Sequence, residues 1–200
     1  MSATDSSLPS PPPLGTLVDN GFLELVELLR QGRYGIVYRA FDTRSPIPIS
    51  YAVKCLPHTY TRRQLLRGTR FHKLASAHPN VVSLHRVVKD KDFTYIVMDY
   101  YEEGDLFTQI LHQRRYLGQD ELVKHALLQL LDAVEYSHSL GIYHRDLKPE
   151  NVLCFDGGLR LAITDFGLAT TDAFSEEFGT GSDYHMSPGM PTLPASFPIF

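Results

Sequence analysis

Five short runs rich in Val, Ile, Tyr and Phe crowd into the first hundred residues, and one long helical stripe dominates the second hundred. The runs are Phe22–Leu29, Tyr34–Phe41, Ile49–Leu56, Val81–Val88 and Phe93–Asp99, separated by Gly, Pro or charged clusters. Branched and aromatic side chains suit a pleated, half-buried surface, so each run reads as a strand. Between the third and fourth lies Tyr60–Ala77, polar and Arg-rich, with helical spacing at Leu65, Leu66 and Leu74. In Asp120–Leu140 apolar residues recur at Leu122, Val123, Ala126, Leu127, Leu130, Leu131 and Val134, the stripe of a core-facing helix. Gly141 stands where a left-handed residue would stop it. Strands first and helices after predict an α+β fold, with a small, mostly antiparallel lobe ahead of a helical one.

The two ends have a different texture. Residues 1–20 are rich in Ser and Pro, and Pro11-Pro12-Pro13 favours polyproline II, so this stretch reads as a disordered tail. After Met186 four prolines forbid a continuing helix. Over the whole chain, 43% hydrophobic and 11% aromatic residues are enough for a buried core. A net charge of −4 supplies no global basic field, so neither nucleic acid nor a membrane is an expected partner. Cys55 and Cys154 have no C-x-x-C spacing, which argues against a disulfide framework. The start lacks a basic and apolar leader, and no apolar run approaches the roughly 20 residues that span a bilayer. Cytoplasm or nucleus is therefore the expected location.

The chemistry concentrates in His144-Arg145-Asp146-Leu147-Lys148-Pro149-Glu150-Asn151 and, after a short gap, Asp165-Phe166-Gly167. Phosphoryl transfer asks little covalent help of a protein. It needs a carboxylate to orient and accept the proton of an attacking hydroxyl, and ligands that hold Mg²⁺ against the phosphates. Asp146 suits the first task. Asn151 and Asp165 suit the second, being hard oxygen donors. Lys148 suits the offsetting of charge that develops on the phosphate. The whole stretch resembles the catalytic and metal-binding loops of eukaryotic protein kinases, and Lys148 with Pro149-Glu150-Asn151 resembles their Ser/Thr branch. Tyr143-His144-Arg145 and Met186-Ser187-Pro188 also resemble the fungal nutrient- and meiosis-regulating kinases.

That resemblance implies a bilobal kinase fold and Mg-ATP as its ligand. Tyr51-Ala52-Val53-Lys54 is similar to the strand whose Lys reaches the α- and β-phosphates, with Ala52 roofing the adenine. Strand alternation puts Ala52 and Lys54 on one face. Arg30-Gln31-Gly32-Arg33-Tyr34-Gly35-Ile36-Val37 resembles the phosphate-covering hairpin with Arg30 in place of its first Gly. Gly32 and Gly35 would allow close approach to phosphate, and Val37 would cap the base. Ile96–Tyr101 resembles the inter-lobe hinge, where main-chain groups of Asp99 and Tyr101 would bond adenine. Asp105 matches a ribose-contacting position and equally well a helix cap. Leu153 matches the residue that packs under adenine.

Some features depart from the family. The resemblance calls for a Glu partner to Lys54 on the following helix, near Gly68 or Thr69. Yet Cys55 through Lys89 contains no Asp or Glu, and that helix carries Arg62, Arg63, Arg67, Arg70 and Lys73. A Glu introduced at 68 or 69 would be expected to restore the pair. Phe178–Pro188 resembles the activation segment with Ser182 near the reacting groups, but His185 and Gly189 stand where Tyr and Glu are usual. The resemblance covers residues 21–188, with 21–99 as the N-lobe and 100–188 as part of a C-lobe. Residues 189–200 resemble no kinase region, and the helices that close the C-lobe are expected to be missing. Two functions fit this pattern. One is an ATP-binding Ser/Thr kinase acting on protein hydroxyls, its activity limited by truncation. The other is a non-catalytic, pseudokinase-like module that regulates a partner, which would cover the exposed apolar face of the 120–140 helix.

Overall fold

Period-two burial in the first half of the chain builds one sheet. The computed structural model describes residues 9–32, 35–58 and 62–172, plus the backbone of the short pair 174–175 and 197–198. Strands β1 (Leu17–Val18), β2 (Leu23–Gly32), β3 (Gly35–Asp42), β4 (Ser50–Pro57), β5 (Leu84–Lys89) and β6 (Phe93–Asp99) are ordered β1-β2-β3-β4-β6-β5, every neighbour antiparallel. Its core collects Leu23, Leu25, Tyr38, Ala40, Val53, Cys55, Phe93, Tyr95 and Val97. These are alternate residues along each strand, so their neighbours point to the other face. Cross-strand pairing aligns Val37, Lys54 and Ile96 in one row and Ala52 and Met98 in the next, all on that other face. Burial raises the Cys55 thiol to about 12, which makes it an inert core residue.

The expected disordered tail is corrected over its second half. Val18 is buried in the sheet core, the Tyr38 hydroxyl donates to Pro12 O at 2.8 Å, and Arg86 pairs with Asp19 at 2.6 Å. A proline run has no N–H groups to satisfy but keeps its carbonyls. Pro12 therefore docks as an acceptor, which no local sequence pattern announces.

The described residues form two compact units: residues up to 62 with 84–100, and 63–83 with 101 onward. In the second, α1 (Arg62–Ala75), α2 (Leu106–Leu111) and α3 (Asp120–Ser139) accompany a hairpin, β7 (Val152–Phe155) and β8 (Arg160–Ile163). Its core joins Phe71, Ala75, Val81, Ala133, Ile142, Ile163 and Phe166. Segment 80–82 runs parallel beside the end of β8, with Val82 N donating to Ile163 O and Ile163 N to Asn80 O. That fixes the path of the chain into Asp165.

Both helices exist where their periodicity predicts, with a shifted buried face. On α3 the packed residues are Ala126, Ala133 and Ser137, flanked by Leu130 and Val134, while Val123, Leu127 and Leu131 are about half exposed. The latter three repeat every four residues and so drift off the buried line of a 3.6-residue helix. On α1 the packed residues are Gly68, Phe71, His72 and Ala75, whereas Leu74 is 49% exposed. Gly141 adopts the left-handed conformation, φ 69°, just past the end of α3. No described helix is long and apolar enough to cross a membrane.

Candidate functional site

In the second unit the catalytic-loop residues converge. The Asp146 carboxylate accepts from Lys148 Nζ at 3.0 Å and from Asn151 Nδ2 at 3.0 Å. Asn151 Nδ2 also donates to Asp146 O at 2.9 Å, and Asn151 is buried. Lys148 and Asp146 side chains are only 14% and 9% exposed, so this pair is poorly screened by water. With its amide N–H groups spent on Asp146, Asn151 is left with its carbonyl oxygen as the end for another partner. Pro149–Asn151 forms one 3₁₀ turn, and Thr164 N donates to Asn151 O at 2.9 Å. That bond ties Asn151 to the residue preceding Asp165.

Asp165 is left-handed, with φ 64° and ψ 64°, a conformation Asp tolerates better than most residues. The turn it begins is held on three sides. Phe166 is buried between the rings of His72, stacked at 5.1 Å, and His144, edge-on at 4.7 Å. Arg145 Nε donates to Leu168 O at 2.7 Å, and Tyr143 and Thr170 exchange main-chain bonds. Gly68 supplies the third side. A Cβ there would lie 2.9 Å from Phe166 O and 3.1 Å from Gly167 Cα, closer than packed atoms tolerate. The expectation that a Glu could be introduced at position 68 is therefore corrected: the helix rests on the Phe166-Gly167 backbone because residue 68 has no side chain. Thr69 Oγ1, beside it, is buried without a hydrogen-bond partner.

Burial holds the His144 imidazole below its usual pKa, in its neutral form. Nε2–H donates to Thr164 O at 2.9 Å, and Nδ1 accepts from Asp146 N at 3.3 Å. Protonation would place N–H against N–H at Nδ1. A depressed native pKa means the unfolded chain binds more protons, so this contribution is full above about 6.5 and is lost as pH falls. Thermal unfolding should show a melting temperature that drops from pH 7.5 to 5.5, with a shallower drop in His144→Leu. Equal slopes in the two proteins would contradict that assignment.

In the first unit, Gly32 pairs with Gly35 at the end of the β2–β3 hairpin. Gly35 has φ 126°, and a Cβ there would lie 2.6 Å from Cys55 O, so only glycine fits. Gly32 meets nothing within 4 Å. Val37, Ala52 and Lys54 share one sheet face, and Lys54 is paired in the ladder with Val37 and Ile96. Asp99 ends β6, with His85 Nε2 donating to its carboxylate at 2.6 Å.

In the second unit again, Tyr101 packs edge-on against Phe155. Of the two readings of Asp105, the cap is present: its Oδ1 accepts from Thr108 N at 2.8 Å at the start of α2. Asp105 also bridges Leu153 on β7. Ser182, His185 and Gly189 lie outside the described residues. Sequence reasoning missed the packing of Gly68 and His72 on the Asp165 turn. A Gly within a helical pattern is the one local signal for it, since such a residue costs stability unless close packing needs it.

A buried carboxylate–lysine–asparagine cluster, tied to an Asp-Phe-Gly turn, with a two-glycine hairpin in the strand unit, marks a class. The chain belongs to the protein kinase domain family, whose match covers residues 23–190. This family generally uses ATP and Mg²⁺. The chain is similar to "Negative regulator of sexual conjugation and meiosis" of Schizosaccharomyces pombe, at 42% identity over 83% of this chain and 36% of that protein. It is similar to serine/threonine-protein kinase ksp1 of the same yeast, at 40% identity over 80% of this chain and 36% of that protein. CBL-interacting protein kinase 9 of Oryza sativa subsp. japonica is 38% identical over 88% of this chain and 38% of that protein. The chain thus spans little more than a third of the length of the curated relatives it matches.

Proposed function

We propose that this chain binds Mg-ATP and carries the phosphoryl-transfer centre of a protein kinase acting on Ser/Thr hydroxyls of a protein substrate. The observation that carries the reading is the Asp146–Lys148–Asn151 cluster, hydrogen-bonded through Asn151 O to the residue before Asp165. In this reading Asp146 orients the substrate hydroxyl and takes its proton. Lys148, held against Asp146, offsets charge on the transferred group. Asn151 and Asp165 hold Mg²⁺. The donor set fits: one carboxylate and one amide oxygen, with phosphates and water completing the shell, is how Mg²⁺ is usually held. The described residues contain no cluster of three His, Cys, Asp or Glu that would suit a more fully protein-ligated ion. Bound Mg²⁺ neutralises phosphate charge.

The nucleotide's remaining contacts are assigned by the same reading. Lys54 takes the α- and β-phosphates, and Gly32 and Gly35 let the hairpin backbone cover them. Val37, Ala52 and Leu153 enclose the adenine, main-chain groups of Asp99 and Tyr101 bond its edge, and Asp105 lies at the ribose. A regulatory partner on the exposed flank of α3 and a cytoplasmic or nuclear site of action complete it. Residues 21–99 would act as the N-lobe and 100–188 as the C-lobe portion.

A second reading, a non-catalytic, pseudokinase-like binding module that regulates a partner, is favoured by Gly68, which stands near where the family resemblance calls for a helix Glu. Incubation with γ-labelled ATP, Mg²⁺ and a Ser/Thr-containing protein acceptor separates the two. Label on Ser or Thr that EDTA abolishes supports the first. Nucleotide binding with no label supports the second.

A further inference from the structure

The hairpin that delivers Asn151 and Asp165 is gripped at its far end by a residue the site does not use. β7 follows Asn151 directly, β8 ends immediately before Thr164, and the two are joined by a turn at Asp156–Leu159. Glu103 reaches this turn with both oxygens: Gly157 N donates to Oε1 at 2.6 Å and Gly158 N to Oε2 at 3.0 Å. Consecutive N–H groups aimed at one point form an anion-holding concavity. Here it needs left-handed backbone, φ 68° and 77° at the two glycines. Arg115 completes the grip, with Nη1 3.7 Å from Glu103 Oε2. Its Cδ would be 2.6 Å from a Cβ at Gly158, so no side chain fits there. Tyr116 Oη donates to Gly158 O at 2.9 Å.

The same segment seals the hairpin along its length. Cys154 N donates to Gly104 O at 2.9 Å, Asp105 bridges Leu153, and Gln109 Nε2 donates to Glu103 O at 2.5 Å. Three consecutive residues, Glu103 to Asp105, thus grip the turn and then β7. A hairpin of two short strands, fixed at its closed end, has little freedom at its open end, where Thr164 N meets Asn151 O.

We infer that Glu103, with Arg115, is a positioning residue: it clamps the closed end of the β7–β8 hairpin and so sets the separation of Asn151 and Asp165 at the other. The role in metal positioning rests on the proposed Mg-nucleotide reading; the clamp itself does not. The test is amide hydrogen exchange on the full chain, comparing wild type with Glu103→Ala, Glu103→Gln and the neighbouring Glu102→Ala. In Glu103→Ala, protection at Gly157 and Gly158 should fall about tenfold, since charge-assisted bonds are lost, and protection at Thr164 should fall with it. Glu103→Gln, which keeps one acceptor but no charge, should lie between, and Glu102→Ala should match wild type.

Loss at Gly157 and Gly158 with Thr164 unchanged would overturn the inference, leaving a local turn contact. No loss at the glycines would overturn it outright. Titration with ATP, with and without Mg²⁺, is the second arm: Glu103→Ala should lose the Mg²⁺-dependent gain and keep the Mg²⁺-free affinity. If wild type shows no such gain, the nucleotide reading fails, and exchange at Thr164 still decides the clamp.

Discussion

Asp146→Asn is expected to remove phosphoryl transfer while sparing nucleotide binding. The amide cannot accept the substrate proton, and a positioned general base contributes about 10²- to 10⁴-fold. The exchange is nearly isosteric, but not neutral for the cluster. Asp146 Oδ2 now accepts from both Lys148 and Asn151, so an amide must turn its oxygen to those donors. Its NH₂ then occupies the other position, where a proton acceptor was. The measurement is initial rate of label transfer beside calorimetric ATP affinity in the same preparation. A purified variant that still transfers label within tenfold of wild type would exclude Asp146 as the base.

Gly68→Glu is expected to destabilise the second unit and abolish any Mg²⁺-dependent nucleotide binding. The new Cβ alone would lie 2.9 Å from the Phe166 carbonyl oxygen, which is backbone and cannot rotate away. Overpacking of this kind costs about 1–3 kcal/mol, occasionally more. The relief available is movement of α1 or of the Asp165-Phe166-Gly167 turn, and either disturbs a proposed metal ligand. Gly68→Ala should show the same loss in milder form, since the clash begins at Cβ. The check is urea unfolding together with ATP titration in Mg²⁺. Unchanged stability, or tighter binding in the glutamate variant, would mean that the helix or the turn gives way without cost and would contradict the packing role of Gly68.

These two sites show why the chemistry and its support were unequally legible in the sequence. Asp146, Lys148 and Asn151 lie within six residues, so a consecutive motif carried the whole cluster. The strands were equally readable, because branched and aromatic runs between turn residues encode both their position and, through alternation, which side of β4 bears Ala52 and Lys54. What failed depends on phase or on distance. The α3 pattern offered seven apolar candidates, and only packing against β8 and the core around it selects Ala126, Leu130 and Ala133 over Val123, Leu127 and Leu131. Gly68, Glu103 and Pro12 act on partners 98, 54 and 26 residues away. Nothing in their immediate neighbours signals those partners.

Whether Asn151 and Asp165 make this chain a Mg²⁺-dependent nucleotide binder is tested most directly by calorimetric titration with ATP. The titration is run with Mg²⁺ and with EDTA, on wild type and on Asp165→Ala. Asp165 is left-handed, and the alanine is strained there by about 1 kcal/mol, so Asp165→Asn serves as the folded control. The expected result is saturable heat in wild type that weakens sharply in EDTA, with no difference between the two conditions in Asp165→Ala. Equal binding with and without Mg²⁺ in wild type, or no binding in either, would contradict the assignment of both residues as metal ligands.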